Sequence, residues 1–492
     1  MKRIFFALGL ALSIILGARA FDFEEPPSHS PYLVTVQAPH QVRLLDQDTA
    51  ALENILRMIG RARKTMELEY YVFNPDRSGK LVLQALIKKA DEGVKIRILV
   101  DYYSHGVIPG LDGFYLTALA RHGIELRYFN VADLLEFWKV GFRNHRKLLV
   151  VDGEEMLAGG RNISDEFFGM SERVNYLDRD IWIKGPIAQA AVQGFELFWN
   201  DPIVEKPQKP EEPVFIRSPH ASSSKRMTTR AQDEADYRAR LNAFNARIAA
   251  TKKTLSPQKS DLELRQKVAE RGGAELAGSP VIPIHSITLV SDTPVPGAAA
   301  RIVTPYLYRR LAGATKSLLI ENFIFMVKDE EKDAFLGLLQ RGVKIDLLTN
   351  GFGSEPNYMM AELENSRQNM GVANGMNVYC YTGPPPADRL FSGPKAIWGL
   401  HTKTMVIDGQ DSVIGSYNLD PRSAWINDEG AIIVNGSPEF ARLLEEKTRQ
   451  RIKNATQMNP DGSYVNGVHC YSTGRIMTIL LRPLVELFSD QL

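Results

Sequence analysis

Cysteine is nearly absent, with Cys380 and Cys470 the only two in 492 residues. Two thiols cannot make a structural cysteine metal site or the cross-linked framework of a small secreted scaffold. Whether they pair in an oxidising compartment stays open, because spacing does not reveal whether their Cα atoms approach. Charge of one sign is also missing: 59 lysines and arginines face 58 aspartates and glutamates, for a formal net charge of +1. A wholly basic body is thereby excluded, and no stable nucleic-acid partner is expected. The long uncharged apolar run sits at the N-terminus, where Lys2 and Arg3 precede Ile4 to Leu16 and then Ala18-Arg19-Ala20. It is shorter than the roughly 20 residues a spanning helix needs. Residues 1–20 therefore read as a secretory signal peptide cleaved before Phe21, giving an exported, periplasmic or secreted protein. Cleavage would remove Lys2, Arg3 and Arg19 and take the formal charge from +1 to −2. No cysteine lies near the new start to accept a lipid.

What the chain does have is length and an ordinary apolar content. At 492 residues and 44% hydrophobic, it exceeds what one core usually fills, so two domains or a fused pair of similar halves is expected. Internal similarity favours the pair. The stretch from Arg63 to Phe73 is echoed by Thr315 to Phe325, each reading as a buried strand after a helix. The helix before the first copy carries Leu52, Ile55, Leu56 and Ile59 at helical spacing, from about Ala50 to Ala62. A second helix-strand pair repeats as well. Leu81 to Ala90, Gly93 and a strand Val94 to Asp101 match Phe335 to Gln340, Gly342 and a strand Val343 to Asn350. Alternating helices and β-branched strands predict an α/β sandwich in each half. The expected divisions are a first half over 21–203, a linker and charged helical insertion over 204–284, and a second half over 285–492. The segment Arg230 to Ala277 lacks a sustained apolar face and is expected to be exposed.

A chemical repeat lies on top of the structural one. The first half contains Asn144-His145-Arg146-Lys147 running to Asp152-Gly153, then Gly159-Gly160-Arg161-Asn162. The second contains Leu400-His401-Thr402-Lys403 running to Asp408-Gly409, then Gly415-Ser416-Tyr417-Asn418. In both, lysine follows the histidine by two residues, aspartate by seven and asparagine by seventeen. Residues two apart on a strand share a face, so each histidine-lysine pair can address one phosphate while the following apolar residues anchor the strand. Two lysines and two asparagines would stabilise charge on a phosphodiester without a metal ion or other cofactor. One histidine attacks and forms a phosphohistidine; the other protonates the leaving alcohol, then deprotonates the incoming one. The aspartates Asp152 and Asp408 fit a structural role near the turn better than proton transfer.

This constellation resembles the HxKxxxxD motif of the phospholipase D superfamily, over nearly all of residues 40–490 apart from the insertion. The stretches from Gly159 to Phe168 and from Gly415 to Ser423 are most similar to bacterial cardiolipin synthases of the cardiolipin synthase C type. The resemblance implies two α/β halves packed about a pseudo-two-fold axis with both motifs at their interface. It further implies that His145 is the nucleophile and His401 the acid-base. Glu429 matches an acidic residue that often follows the second motif, and its counterpart falls in Asp178-Arg179-Asp180; a carboxylate there, with Asp180 a candidate, or Glu429 itself could orient a histidine. Which carboxylate faces which histidine is not readable. Glu69 and Glu321, at equivalent strand positions, are expected to line the cleft or to form a buried pairing, and Ser416 is expected near it. His105 and His285 lack companions and read as incidental. The expected partners are a phospholipid substrate and a membrane surface. Leu134, Leu135, Phe137 and Trp138 would form an apolar rim, and Ile476 to Phe488 would dock on the second half or lie on a bilayer. The chain departs from the many cardiolipin synthases that carry two N-terminal spans. Three readings therefore share the core: a phosphatidyltransferase making cardiolipin, a secreted phospholipase D and an exported nuclease. A non-catalytic surface or virulence protein is the alternative of a different class.

Overall fold

The computed structural model describes residues 30–102, 110–131, 141–215, 230–297, 300–351, 368, 371–381, 393 and 395–459. Residues 1–20, expected to be a signal peptide, lie outside the described residues, as do His105, Leu134, Leu135, Phe137, Trp138, Ile476 to Phe488 and Cys470, and with Cys470 the question of whether it pairs with Cys380.

The first half runs β1 (Leu33–Leu45), α1 (Asp48–Arg61), β2 (Thr65–Tyr70), α2 (Arg77–Asp91), β3 (Lys95–Asp101), α3 (Gly113–Ala120) and β4 (Ile124–Phe129). It continues through β5 (Leu148–Val151), β6 (Glu155–Gly159), β7 (Val174–Leu177), β8 (Asp180–Lys184), α4 (Ile187–Trp199) and β9 (Val204–Glu205). Two helices follow, α5 (Arg230–Leu255) and α6 (Lys259–Gly278). The second half runs β10 (Ile282–Ser291), α7 (Val303–Ala312), β11 (Ser317–Asn322), α8 (Asp329–Gln340), β12 (Lys344–Asn350), β13 (Asn377–Tyr381) and β14 (Ile397–Leu400). It closes with β15 (Lys403–Ile407), β16 (Asp411–Gly415), α9 (Pro421–Trp425), β17 (Gly430–Val434), α10 (Pro438–Ile452) and β18 (Ala455–Gln457).

Sixteen of these strands form one sheet, in the order β18-β13-β12-β11-β15-β16-β17-β10-β1-β8-β6-β5-β2-β3-β4-β9. Its centre is the antiparallel pair β1 and β10, from Leu33 opposite Val290 to Val42 opposite Ile282. Outward from that seam each side meets equivalent strands in the same sequence, including the parallel trios β2-β3-β4 and β11-β12-β13. The mixed α/β architecture with two repeated halves is thus built around a seam that both share.

Both faces of the sheet are covered, which is why the strands after each motif read as unbroken apolar runs. Leu149 and Val151 pack into the outer core with α1, α2 and α3, whereas Leu148 and Val150 point into a central core. That central core joins the halves: Phe195 and Phe198 of α4 share it with Leu319, Val406 and Phe440 of the second half. The helix-ending glycines take the left-handed backbone their positions require, with φ of 93° at Gly93 and 82° at Gly342.

The helices of the insertion differ in how they sit. Helix α5 is largely exposed and touches α3 through Phe114 against Phe244, ring centroids 5.4 Å apart, and an Arg247–Asp112 ion pair of 2.6 Å. Helix α6 is not free-standing as its polar sequence suggests, since it buries Val268 and Leu276 against the first half. At its contact with α1 a Cβ on Gly272 would meet the Thr49 carbonyl oxygen at 2.5 Å, so only glycine allows this approach.

Candidate active site

Each motif is the end of a β-hairpin. The turns at Asp152-Gly153 and Asp408-Gly409 lie in three-residue hairpin connections and have positive φ at both of these positions, a conformation that aspartate tolerates and glycine adopts freely. Asp152 accepts hydrogen bonds from the backbone amides of Arg63, Lys64 and Thr65 at 2.7 to 2.9 Å. Asp408 accepts in the same way from Thr315, Lys316 and Ser317. These aspartates tie the hairpin turn to the start of the neighbouring strand, at the far end of β5 and β15 from the histidines.

The histidines emerge at the near end, each clamped by the opposite half. His145 donates its backbone N–H to the Asp428 carbonyl at 2.8 Å, and His401 donates to the Leu177 carbonyl at 2.8 Å. The second clamp extends the short parallel pair of β7 and β14, in which Leu177 lies opposite Leu400. The side chains cross over too. His145 Nδ1 donates to Glu429 at 3.0 Å, and His401 Nδ1 donates to Asp178 Oδ2 at 2.6 Å. With Nδ1 engaged, Nε2 is the ring nitrogen left for chemistry on both histidines. Both carboxylates are buried and anchored in turn: Glu429 accepts from the hydroxyls of Ser416 and Ser423, and Asp178 accepts the Arg179 amide at 2.7 Å.

Lys147 and Lys403 bend back so that Nζ donates to the carbonyl of the histidine two residues earlier. Each ammonium also lies over a ring at the end of the adjacent strand, Lys147 at 5.5 Å from Tyr71 and Lys403 at 5.2 Å from Phe323. His401 is ringed by Phe167, Tyr176 and Phe323, with centroids at 5.0, 5.5 and 5.2 Å. His145 packs edge-on to Tyr71 at 5.3 Å. Asn162 accepts the Val72 amide at 3.1 Å through Oδ1, and Asn418 Oδ1 is buried without a protein partner.

The electrostatics follow from packing four basic groups into one buried place. Burial lowers the His145 pKa to about 4; Glu429 opposes the shift and Lys147 adds to it. Burial, then Lys403, Lys147 and the other histidine, hold His401 well below the ordinary histidine range. Burial also brings Lys403 down to about 8, against the pull of Asp178 and Glu429. Glu429 stays below the usual glutamate range, because His145 and Lys147 outweigh the burial that would raise it. Such crowded cationic groups are what an arriving anion relieves.

Of the expected residues, His145, Lys147, His401, Lys403, Glu429 and Ser416 come together directly, while Asp180 does not join a histidine. Asp180 accepts from Arg161 at 3.2 Å, and Asp178, two residues earlier on the same face, takes the histidine instead. Glu69 and Glu321 touch neither histidine. Glu69 accepts from Asn144 Nδ2 at 2.6 Å and pairs with Arg146 at 3.2 Å. Glu321 is held by Arg179, by Arg451 at 2.6 Å and by Thr448 at 2.9 Å. His145 and Lys147 precede β5 as extended backbone outside the hydrogen-bonded ladder, whereas Lys403 opens β15. The sequence points to Asp178 only as part of Asp178-Arg179-Asp180, and Asp101 and Asn350 are not found from it at all. The last two hold the backbone just before each histidine, Asp101 accepting the Asn144 amide at 2.9 Å and Asn350 the Leu400 amide at 2.7 Å. Their shared position at the end of β3 and β12 was the available signal.

Two hairpins that present crossed histidine-carboxylate pairs beside two lysines define a phospholipase D-type centre, and the sequence comparisons agree. Residues 55–199 and 307–452 each match the family model described as cardiolipin synthase, PLD-like domain, and the chain belongs to that family. It is a phosphodiester transferase or hydrolase of the phospholipase D superfamily. Among individual proteins it is 26% identical to cardiolipin synthase C of Escherichia coli K12 over 432 residues, covering 84% of this chain and 85% of the relative. An uncharacterized protein of Helicobacter pylori 26695 is 25% identical over 446 residues, covering 86% and 80%. In fold it is similar to the phosphatidylserine synthase of Haemophilus influenzae, with a TM-score of 0.62, 13% identity, and coverage of 92% of this chain and 97% of that one.

Proposed function

We propose that this protein is a membrane-peripheral phosphatidyltransferase that joins two phosphatidylglycerol molecules into cardiolipin. The observation that carries the chemistry is the crossed pairing of His145 with Glu429 and His401 with Asp178, which leaves two Nε2 atoms to act on one phosphate. His145 Nε2 attacks phosphorus, and the bond to the glycerol oxygen breaks. His401, as imidazolium, gives that oxygen its proton, and glycerol leaves. Lys147 and Lys403, with the amide groups of Asn162 and Asn418, stabilise the charge that spreads over the phosphoryl oxygens. In the second step neutral His401 takes the proton from a hydroxyl of another phosphatidylglycerol. That oxygen attacks phosphorus, the N–P bond breaks, and His145 is free again.

Transfer requires a lipid alcohol to outcompete water at the phosphohistidine. The rings of Phe167, Tyr176 and Phe323 around His401 support this reading, because they line the base that would otherwise activate water with apolar surface. Among the described residues no helix is long and apolar enough to cross a membrane, and the proposal places the protein at the bilayer surface. The test is incubation with phosphatidylglycerol as the only lipid and identification of all products by mass. Cardiolipin with free glycerol is expected, whereas phosphatidic acid as the dominant product would make the enzyme a hydrolase. His145→Ala and His401→Ala should each abolish turnover, and mapping of the quenched enzyme should find the phosphoryl group on His145.

A further inference from the structure

A polar pocket lies at the end of β6 away from the histidines. It encloses about 270 Å³ between β1, β6, β8, α1 and α6, with Arg43, Arg57, Arg61 and Lys184 in its wall beside Glu155 and Trp182. Glu155 opens β6 and Gly159 ends it next to the histidine site, so four residue steps separate the two places, roughly 13 Å along the strand.

The carboxylates near this cavity are already engaged. Glu155 takes both Arg61, at 2.7 and 3.1 Å, and the Trp182 indole N–H at 2.8 Å. Glu53, behind it, takes Arg57 at 2.6 Å and Arg265 at 2.7 Å. Arg43 is left over. Among the described residues it has no acidic partner; its guanidinium lies 5.7 Å from the Trp182 ring centroid, and its Nε is buried without a hydrogen-bond partner. Lys184, opposite Gln41 in the β1–β8 pairing, is exposed and adds a second cation that forms no ion pair among the described residues.

A buried guanidinium N–H without an acceptor is a defect unless something supplies one. Burial, together with Arg57 and Arg61, already disfavours the charge on Arg43, and an anion would relieve both costs. Arginine forks match tetrahedral oxyanions in two-point geometry, and a flexible lysine adds a point charge. The cavity admits a headgroup, while acyl chains of a lipid would have to lie outside it. We infer that this cavity is a second, non-catalytic binding site for a phosphate group, carried by an anionic lipid headgroup or free in solution. Helix α6 contributes Leu276 to its wall, which gives the insertion a part in the site.

The test is titration calorimetry of inorganic phosphate into the full-length protein and its Arg43→Gln/Lys184→Gln variant. A component near one anion per chain is expected, weakened by at least about tenfold in the variant, which loses charge-assisted bonds, with turnover of phospholipid in detergent unchanged. Sedimentation with phosphatidylcholine vesicles, with and without phosphatidylglycerol, separates the sources. Loss of phosphatidylglycerol-dependent binding together with the calorimetric component assigns a lipid headgroup, and loss of the calorimetric component alone assigns free phosphate. Arg57→Gln, on the exposed side of α1, is an independent variant expected to weaken the same component. Identical phosphate isotherms for all three proteins would overturn the inference.

Discussion

At the scale of single residues, the repeated His, Lys, Asp and Asn do unequal work. The motif aspartates each collect three backbone amides at a turn with φ of 54°. Asp408→Ala should therefore cost about 1–3 kcal/mol in stability, read as a lower melting temperature, with turnover of the folded fraction retained. Burial raises the Asp408 pKa, but the amides of Ser317, Thr315 and Lys316 outweigh it and hold the carboxyl below its ordinary value. Its contribution is then complete above the unfolded-state pKa and fades as pH falls through the folded one, so wild type and Asp408→Ala should converge in stability towards acid. The histidine partners predict the opposite pattern. Asp178→Asn and Glu429→Gln should lower kcat at least about tenfold, since the rings lose the group that orients Nε2. Glu429 also raises the His145 pKa, so its neutral replacement should leave that histidine harder to protonate. At the alkaline end, Lys403 is charged below its pKa of about 8 and neutral above it, so kcat/KM should fall as pH rises through that value. A pH-rate profile flat from 7 to 10 would contradict this role for Lys403.

At the scale of elements, strand and helix positions were largely legible, because covered sheet faces and helical spacing leave periodic traces. The helix expected from Ala50 to Ala62 is α1, Asp48–Arg61, and the strand expected from Val343 is β12, Lys344–Asn350. The choice between Asp178 and Asp180 was not legible. Both point the same way on an extended segment, and only the position of a hairpin from the same half and a histidine from the other separates them. The Gly-Gly and Gly-Ser ends of β6 and β16 held a trace of the answer. A Cβ on Gly160 would meet Asp178 Oδ1 at 2.2 Å, whereas the equivalent Ser416 coexists with the longer Glu429 and donates to it. Gly160→Ser should thus push Asp178 off His401 and depress kcat, while combining it with Asp178→Glu should restore part of the loss. Equal rates for the single and double variants would refute this pairing of side-chain lengths.

At the scale of the whole molecule, the duplicated sequence foretold two halves but not how they divide the site. The division is reciprocal: each histidine takes its backbone acceptor and its carboxylate from the other half. Crossings of this kind depend on the seam between β1 and β10 and on the central core, whose partners lie hundreds of residues apart and leave no local pattern. The seam also explains why one chain suits the proposed chemistry, since in-line displacement needs its two histidines on opposite sides of phosphorus. The two halves, 21–203 and 285–492, should accordingly show no turnover when produced separately, even with both motifs intact. A half that folds alone exposes its histidine without a partner for Nδ1 and leaves the edge of β1 or β10 unpaired, so each should also aggregate more readily than the full chain. Coexpression should return measurable transfer, and Glu429→Gln in the second half should impair the mixture as severely as it impairs the intact protein. Steady turnover by either isolated half would show that the crossed pairs are dispensable and would remove the basis for assigning both histidines to one phosphate.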